Sequence, residues 1–140
     1  NNIAIGYQAQ VPGITSNNQI QIGNSAISLA RCQVAWTLSS DQRFKNNIKD
    51  SELGLQFLQT LRPVSYLRSN DTQAKTEYGF IAQEVKQVLD SSNAPDFAGW
   101  VQDDLSDPDS TQSLSYEQFI APLTKAVQEL TARVVALETK

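Results

Sequence analysis

The chain has 140 residues, 40% hydrophobic and 8% aromatic, enough for one modest core with an appendage but not for two full domains. Its net charge of −4, without a basic stripe, argues against a nucleic-acid partner, because the counterion release that drives such binding is missing. With no histidine and one cysteine, Cys32, the chain cannot form an internal disulfide, a cysteine–histidine zinc site or a Ser-His-Asp triad.

Residues 1–39 differ in composition from the rest, since Arg31 is their only charged side chain. The segment Asn2-Ile3-Ala4-Ile5-Gly6 recurs as Gln19-Ile20-Gln21-Ile22-Gly23, seventeen positions later. Each copy alternates in polarity and turns at glycine, which predicts a short strand with one apolar face. Stacked rungs or neighbouring chains must cover that face, so we predict the end of a β-helix-like stalk. A disordered linker rich in Asn and Gln is the alternative.

The first helix of a small mixed domain is predicted soon after this region. Apolar residues fall at helical spacing between Leu53 and Leu61, and Asp50 or Ser51 can cap the helix that they form. Pro63 ends it, because proline cannot continue a helix.

Two strands and a second helix are predicted next. Residues 64–67 and 76–80 have the composition of strands, with a hairpin-like connection between them. Residues 81–89 repeat apolar side chains at helical spacing, and another extended piece begins at Trp100. Fold class α+β follows from this mixture.

A cluster of acidic residues without a basic neighbour comes after Trp100. It consists of Asp103, Asp104, Asp107 and Asp109. The cluster lacks the glycine and terminal glutamate of an EF-hand loop, so we predict a solvated loop and no metal site or cofactor.

The last part of the chain has a heptad repeat that predicts a coiled-coil helix over about residues 115–140. Its seam, which follows Tyr116, consists of Ile120, Leu123, Val127, Leu130, Val134 and Leu137. Ser115 and Gln118 match a capping box, whereas Pro122 predicts a kink or a helix that runs cleanly only from that residue. A helix that packs this stripe on its own domain is the alternative. In isolated peptides this pattern of branched residues favours dimers, so the heptad alone does not predict a trimer.

The junction between the two regions contains Ser40 and Lys45, which could act together as nucleophile and base. A lysine serves as a base when burial or a nearby cation such as Arg43 lowers its pKa. Five residues is an awkward separation, because neither a strand nor a helix brings the two side chains together. A Ser-Lys dyad therefore requires a bend, and an unreactive polar turn is the alternative.

The junction resembles that of the endosialidase-type intramolecular chaperones, which occur at the C-termini of phage tail fibres, tailspikes and neck appendages, and in myelin regulatory factor. Four junction positions carry the match: Ser40, Asp41, Arg43 and Lys45. Three later stretches are also similar to family segments: Leu58, Leu61, Pro63, Val64 and Tyr66; Gly79-Phe80-Ile81-Ala82-Gln83-Glu84-Val85; and Ala126-Val127-Gln128-Glu129-Leu130. Together they cover most of residues 40–140 in the family's order.

The resemblance implies a homotrimer in which residues 40–140 assist folding of the stalk of the same chain and then cut themselves off between Ser39 and Ser40. Ser40 would be the nucleophile and Lys45 the base of a single-turnover serine endopeptidase. Asp41 and Arg43 would orient the turn or stabilise the oxyanion. Gln83 and Glu84 would complete the site from a neighbouring element.

The resemblance also implies a place in a virion, with the cleaved domain released into the host cytoplasm during assembly. No apolar run of about 18 residues and no basic-then-apolar leader is present, so we predict a soluble segment without a membrane span or signal peptide. One alternative is a trimerisation module that is never cut. Another is a receptor-binding tip that stacks sugars on Tyr7, Trp36 or Trp100, although packing in the core or a trimer interface is the favoured role of these rings.

Overall fold

A computed structural model of the chain describes residues 1–13 and 16–139, which form short strands and three helices. The strands are β1 (Ile3–Ile5), β2 (Ile20–Ile22), β3 (Val64–Leu67), β4 (Thr76–Gly79), β5 (Trp100–Gln102) and β6 (Gln112–Leu114). The helices are α1 (Leu55–Thr60), α2 (Ala82–Ser91) and α3 (Ile120–Glu138). The predicted α+β class is confirmed.

The internal repeat forms two parallel strands in register. Ile3 pairs with Ile20 and Ile5 with Ile22, so each residue lies beside its counterpart seventeen positions later. Asn2 and Asn24 add side-chain hydrogen bonds between the two copies, to the N–H of Gln19 and the carbonyl of Tyr7. All four isoleucines of the two strands are exposed. The predicted strands are therefore present, and their apolar side chains are uncovered within the protomer.

The core lies where α1, α2 and the start of α3 meet. Its buried cluster consists of Phe57, Leu61, Val85, Leu89 and Phe119. Phe119 lies in a 3-10 turn (Tyr116–Phe119) that leads into α3, and its ring contacts those of Phe57, Phe80 and Phe97. Burying a phenylalanine side chain contributes about 1.5–3 kcal/mol. Phe119 thus anchors the base of α3 to the domain.

The first hairpin and the first two helices lie close to their predicted positions. Strands β3 and β4 pair antiparallel, with Val64 opposite Gly79 and Leu67 opposite Thr76. A side chain at Gly79 would collide with the hydroxyl of Tyr116, which accepts a hydrogen bond from the Phe80 N–H at 3.0 Å. The glycine therefore lets the 3-10 turn before α3 approach the hairpin.

The predicted caps of two helices are wrong. Helix α1 begins after Gly54 rather than at Asp50 or Ser51, and the Ser51 hydroxyl bonds to the Leu53 carbonyl instead. Ser115 makes no side-chain capping bond, because the chain after it first forms the 3-10 turn rather than the α-helix. A capping box requires that its first residue directly precede the α-helix.

Helix α3 accommodates Pro122 in its first turn, where the N–H that proline lacks has no helical acceptor. The prediction of a helix that runs cleanly from about this residue is confirmed to within two residues. Pro122 and Ala126 are buried on the side that packs against α1. In the part of the chain that the structure describes, no helix is long and apolar enough to cross a bilayer.

The heptad residues of α3 lie on its open side. The six seam residues named above are 46–69% exposed. The alternative in which this stripe packs on its own domain is therefore wrong for the protomer.

The acidic segment connects β5 and β6, which pair antiparallel. The hydroxyl and N–H of Ser106 hold the pKa of Asp104 below its ordinary value of 3.8. Among residues 1–13 and 16–139, no three His, Cys, Asp or Glu side chains are grouped as a metal site would require.

Trp100, which begins β5, donates a hydrogen bond from Nε1 to Gln112 Oε1 at 3.0 Å and packs against the core cluster. Tyr7 and Trp36 are 82% and 76% exposed.

Candidate functional site

The candidate site lies on an exposed connection between the repeat and the domain. Residues 28–41 form no helix or strand, and both Ser39 and Ser40 are exposed. An extended segment of this kind leaves the peptide bond between them accessible.

A single 3-10 turn, Gln42–Phe44, bends the chain directly after Asp41. Asp41 caps this turn, since its Oδ1 accepts the Arg43 N–H at 2.9 Å. The turn closes when the Lys45 N–H donates to the Gln42 carbonyl at 3.0 Å. Aspartate favours such a position because its short side chain can bond to backbone two residues ahead.

This bend brings the side chains of Ser40 and Lys45 together. Lys45 Nζ donates a hydrogen bond to Ser40 Oγ at 2.7 Å. The bend that the five-residue separation required is therefore present. Both residues are exposed in the protomer, so water reaches the pair.

Asp41 and Arg43 bond to each other. Arg43 donates to the two carboxylate oxygens of Asp41, at 3.0 Å from Nε and 2.7 Å from Nη2. The side chain and N–H of Arg43 hold the pKa of Asp41 below its ordinary value of 3.8, and Asp41 raises the pKa of Arg43. Of the two roles predicted for these residues, this geometry favours orienting the turn. No hydrogen bond joins Arg43 to Ser40 or Lys45 among the described residues.

Gln83 and Glu84 lie in the first turn of α2, and among the described residues no hydrogen bond joins either of them to Ser40 or Lys45. Glu84 accepts two hydrogen bonds from Arg62, one of them from Nε at 2.9 Å, and Arg62 thereby lowers the pKa of Glu84. Gln83 is exposed and makes no side-chain hydrogen bond in the described parts of the chain. Their predicted catalytic roles therefore stay predictions that a single protomer does not test.

The segment upstream of the candidate bond runs beside the start of α3. Trp36 and Leu38 line an open groove together with Ile120, Ala121 and Thr124. Ile120 is also the first seam residue of α3. A neighbouring helix that covers the seam would therefore lie near the chain that enters the candidate site. The sequence had no signal for this proximity, because the two segments are far apart in the chain.

Residues 40–93 match the model of a peptidase family described as chaperone of endosialidase. The match begins at Ser40 and includes α1, the β3–β4 hairpin and α2, but neither the repeat nor α3. It confirms the resemblance stated from the sequence for this part of the chain. No curated protein matches the chain.

Proposed function

Since residues 40–93 are recognised as an endosialidase-type intramolecular chaperone domain, we propose that this domain assists folding of its own stalk and then cuts itself off between Ser39 and Ser40. The hydrogen bond from Lys45 to Ser40 carries the proposal, because it lies beside the candidate bond at the first residue of the family match. We propose that the protein that carries this domain is a trimeric phage fibre, spike or appendage.

The proposed cleavage begins with attack by Ser40 Oγ on the carbonyl carbon of Ser39. The hydroxyl proton passes to the neutral amine of Lys45, which then gives it to the Ser40 nitrogen as the C–N bond breaks. An ester now joins the Ser39 acyl group to Ser40 Oγ, and the Ser40 amine is free. Water hydrolyses the ester, leaving a carboxylate at Ser39 and a hydroxyl at Ser40. The 2.7 Å separation of Lys45 Nζ and Ser40 Oγ supports the first transfer, since it is within the reach that a general base needs. For the transfer the hydrogen bond reverses, so that the neutral amine accepts from the hydroxyl.

Asp41 and Arg43 support this chemistry by holding the turn. The cap from Asp41 to the Arg43 N–H fixes the bend, and the bond from Arg43 back to the carboxylate orients the cap. Donors for the oxyanion are then needed from elsewhere. Gln83 has a free side-chain amide that a neighbouring chain in a trimer can use, whereas Glu84 is already paired with Arg62.

The exposed seam of α3 supports assembly. The first turns of the helix are buried at Pro122 and Ala126, where α3 contacts α1, whereas the heptad side is exposed along its whole length. A row of six exposed apolar residues along one face is a coiled-coil surface. The choice of three chains rests on the family resemblance, because this heptad pattern in isolated peptides favours two.

The repeat region requires assembly, because its apolar side chains are exposed in the protomer. The exposed isoleucines of β1 and β2 need neighbouring surfaces, and non-local pairing of this kind is slow and prone to aggregation. A domain that holds three chains in register lowers the entropy cost of the first pairing. Cleavage afterwards makes unfolding hard to reverse, so the mature stalk in the virion is kinetically stable, and the domain, once it is released, stays in the host cytoplasm.

The proposal is tested by measuring the intact mass of the purified protein. We expect wild-type protein to yield two masses that sum to the whole chain plus one water, and Ser40→Ala to yield only the whole chain. A wild-type chain that remains whole after assembly would instead favour the trimerisation module that is never cut.

A further inference from the structure

The connection between β3 and β4 contacts the repeat region directly. Asn70, in this connection, donates from Nδ2 to the backbone carbonyls of Ser25 and Ile27, at 2.7 Å and 3.3 Å. Because both partners are carbonyl acceptors, the NH2 end of the Asn70 amide must face the repeat. Ser25 and Ile27 lie in the turn that follows β2, and the contact therefore joins the stalk end to the domain through residues other than 39 and 40.

The connection is held in a defined shape. Asp71 accepts hydrogen bonds from the N–H groups of Gln73 and Lys75, at 2.8 Å and 3.0 Å. These two bonds hold the pKa of Asp71 below its ordinary value of 3.8. Asp71 also donates its own N–H to the Arg68 carbonyl at 3.0 Å. Asn70 thus projects from a loop whose shape is held by hydrogen bonds within the loop itself.

The stalk side of the contact is shaped as well. Asn24 turns the chain after β2, since its Oδ1 accepts the Ala26 N–H and its carbonyl accepts the Ile27 N–H. The Ile27 side chain packs so close to Gly23 that a Cβ there would lie 2.4 Å from it. The two acceptor carbonyls are therefore held in place for Asn70.

Asn70 keeps this contact although its other amide atom is unsatisfied. Oδ1 is buried and has no hydrogen-bond partner among the described residues. An unsatisfied buried acceptor destabilises a protein, so other interactions must compensate for its cost. The two hydrogen bonds from Asn70 to the stalk provide this compensation.

We infer that the β3–β4 connection is a clasp, residues 68–75, which holds the stalk end at Ser25 and Ile27 through Asn70 without any need for the Ser39–Ser40 bond. Because the clasp bonds to backbone carbonyls, it recognises the path of the chain after β2 rather than its side chains. A second expectation rests on the proposed self-cleavage. The two products stay associated after the cut, and they separate only when the clasp opens.

The clasp is tested by hydrogen exchange of the Ser40→Ala chain, which stays uncut. Its exchange is compared with that of the same chain carrying Asn70→Asp. The new carboxylate oxygen faces the Ser25 carbonyl and repels it, so we expect amides 24–29 to exchange roughly tenfold faster. Asn93→Asp is the matched control, since it makes the same change of charge in a loop that has no hydrogen bond to the described residues of the stalk. Asn70→Ser removes the reach without adding charge and should give the same direction. Unchanged exchange over Ala82–Ser91 checks that the domain remains folded. Equal exchange at 24–29 in all variants would overturn the clasp.

The consequence is tested on cleaved protein under native conditions. We expect the stalk fragment to co-elute with the domain in wild-type and Asn93→Asp protein, and to separate several-fold faster from Asn70→Asp. Wild-type products that part at once would contradict retention by the clasp. Absence of any cleavage would count against the proposed function alone, because the exchange experiment decides the clasp in the uncut chain.

Discussion

Glu129, on α3, accepts a hydrogen bond from the backbone N–H of Leu55 at 2.8 Å and so caps the first helix of the domain from the last. Gly54 makes this approach possible, since a Cβ there would lie 2.8 Å from both carboxylate oxygens of Glu129. A carboxylate at a helix N-terminus satisfies an orphan donor and favours the helix dipole. The helix that carries the seam is thereby fixed to the core through more than apolar contact.

We expect Glu129→Ala to destabilise the domain by about 1 kcal/mol, the usual cost of a lost helix cap. Glu129→Gln should lose less, because its amide oxygen can still accept the Leu55 N–H. Gln128→Ala, on an exposed neighbour, is the control. The free energy of unfolding in urea measures all three, and equal stability of Glu129→Ala and the control would contradict the capping role.

Replacement of Asp41 separates its two proposed roles. Asn at this position can still accept the Arg43 N–H, whereas Ala cannot. If Asp41 acts by capping the turn, we expect Asp41→Ala to slow self-cleavage roughly fivefold or more and Asp41→Asn to remain close to wild type. The rate of product formation on a gel gives the answer. An Asn variant as slow as the Ala variant would show that the negative charge itself is required.

Two arginine–glutamate pairs predict a loss of stability in acid. Arg62 holds the pKa of Glu84, and Arg68 with Tyr66 holds the pKa of Glu77, below the ordinary value of 4.5. The unfolded chain therefore binds more protons near that pH, so the stabilisation is present above about pH 4.5 and is lost as the pH falls through the lower folded values. Urea unfolding between about pH 6 and about pH 3 measures this slope.

The matched variants for the acid slope are Arg62→Ala and Arg68→Ala. Each should make the loss of stability below about pH 4.5 shallower, because the pKa of the partner carboxyl then moves back toward its ordinary value. Arg133→Ala, on an exposed part of α3 and without an ion pair among the described residues, should keep the wild-type slope. Identical slopes in all four proteins would remove the pairs as the cause.

The open face of α3 predicts an assembly that one charge disrupts. We expect wild-type protein to be a trimer in solution and Val127→Glu to be monomeric at micromolar concentration, since a carboxylate in an apolar seam is left unpaired. Ala132→Glu adds the same charge to the opposite side of the helix and should remain trimeric. Sedimentation equilibrium determines the mass of each. A monomeric wild-type protein would contradict the seam, and a dimer would contradict the number of chains taken from the family.

Features with local or periodic signals could be predicted from the sequence. The seventeen-residue repeat predicted strands that then pair residue for residue, and the spacing of Ser40 and Lys45 predicted the need for a bend. Contacts between distant segments had no such signal. The cap from Glu129 to Leu55 and the bond from Asn70 to Ser25 depend on how separate elements pack, and no periodicity encodes that.

One strand and one core residue were missed for identifiable reasons. Gln112–Leu114 lacks the branched and aromatic residues typical of strands, and its pairing with β5 determines its conformation. Phe119 falls outside the heptad positions of the last helix, so the periodic pattern directed attention to the exposed face rather than to the residue that anchors α3.

The most direct test of the proposed self-cleavage is N-terminal sequencing of the products formed by wild-type, Ser40→Ala, Lys45→Ala and Lys49→Ala proteins. We expect a fragment that begins at Ser40 in the wild type and in Lys49→Ala, whose lysine pairs with Glu52 rather than with a serine. Ser40→Ala and Lys45→Ala should form no such fragment, because one lacks the nucleophile and the other lacks the base. A fragment that still begins at residue 40 in Ser40→Ala, or a wild-type chain that is never cut, would contradict the account.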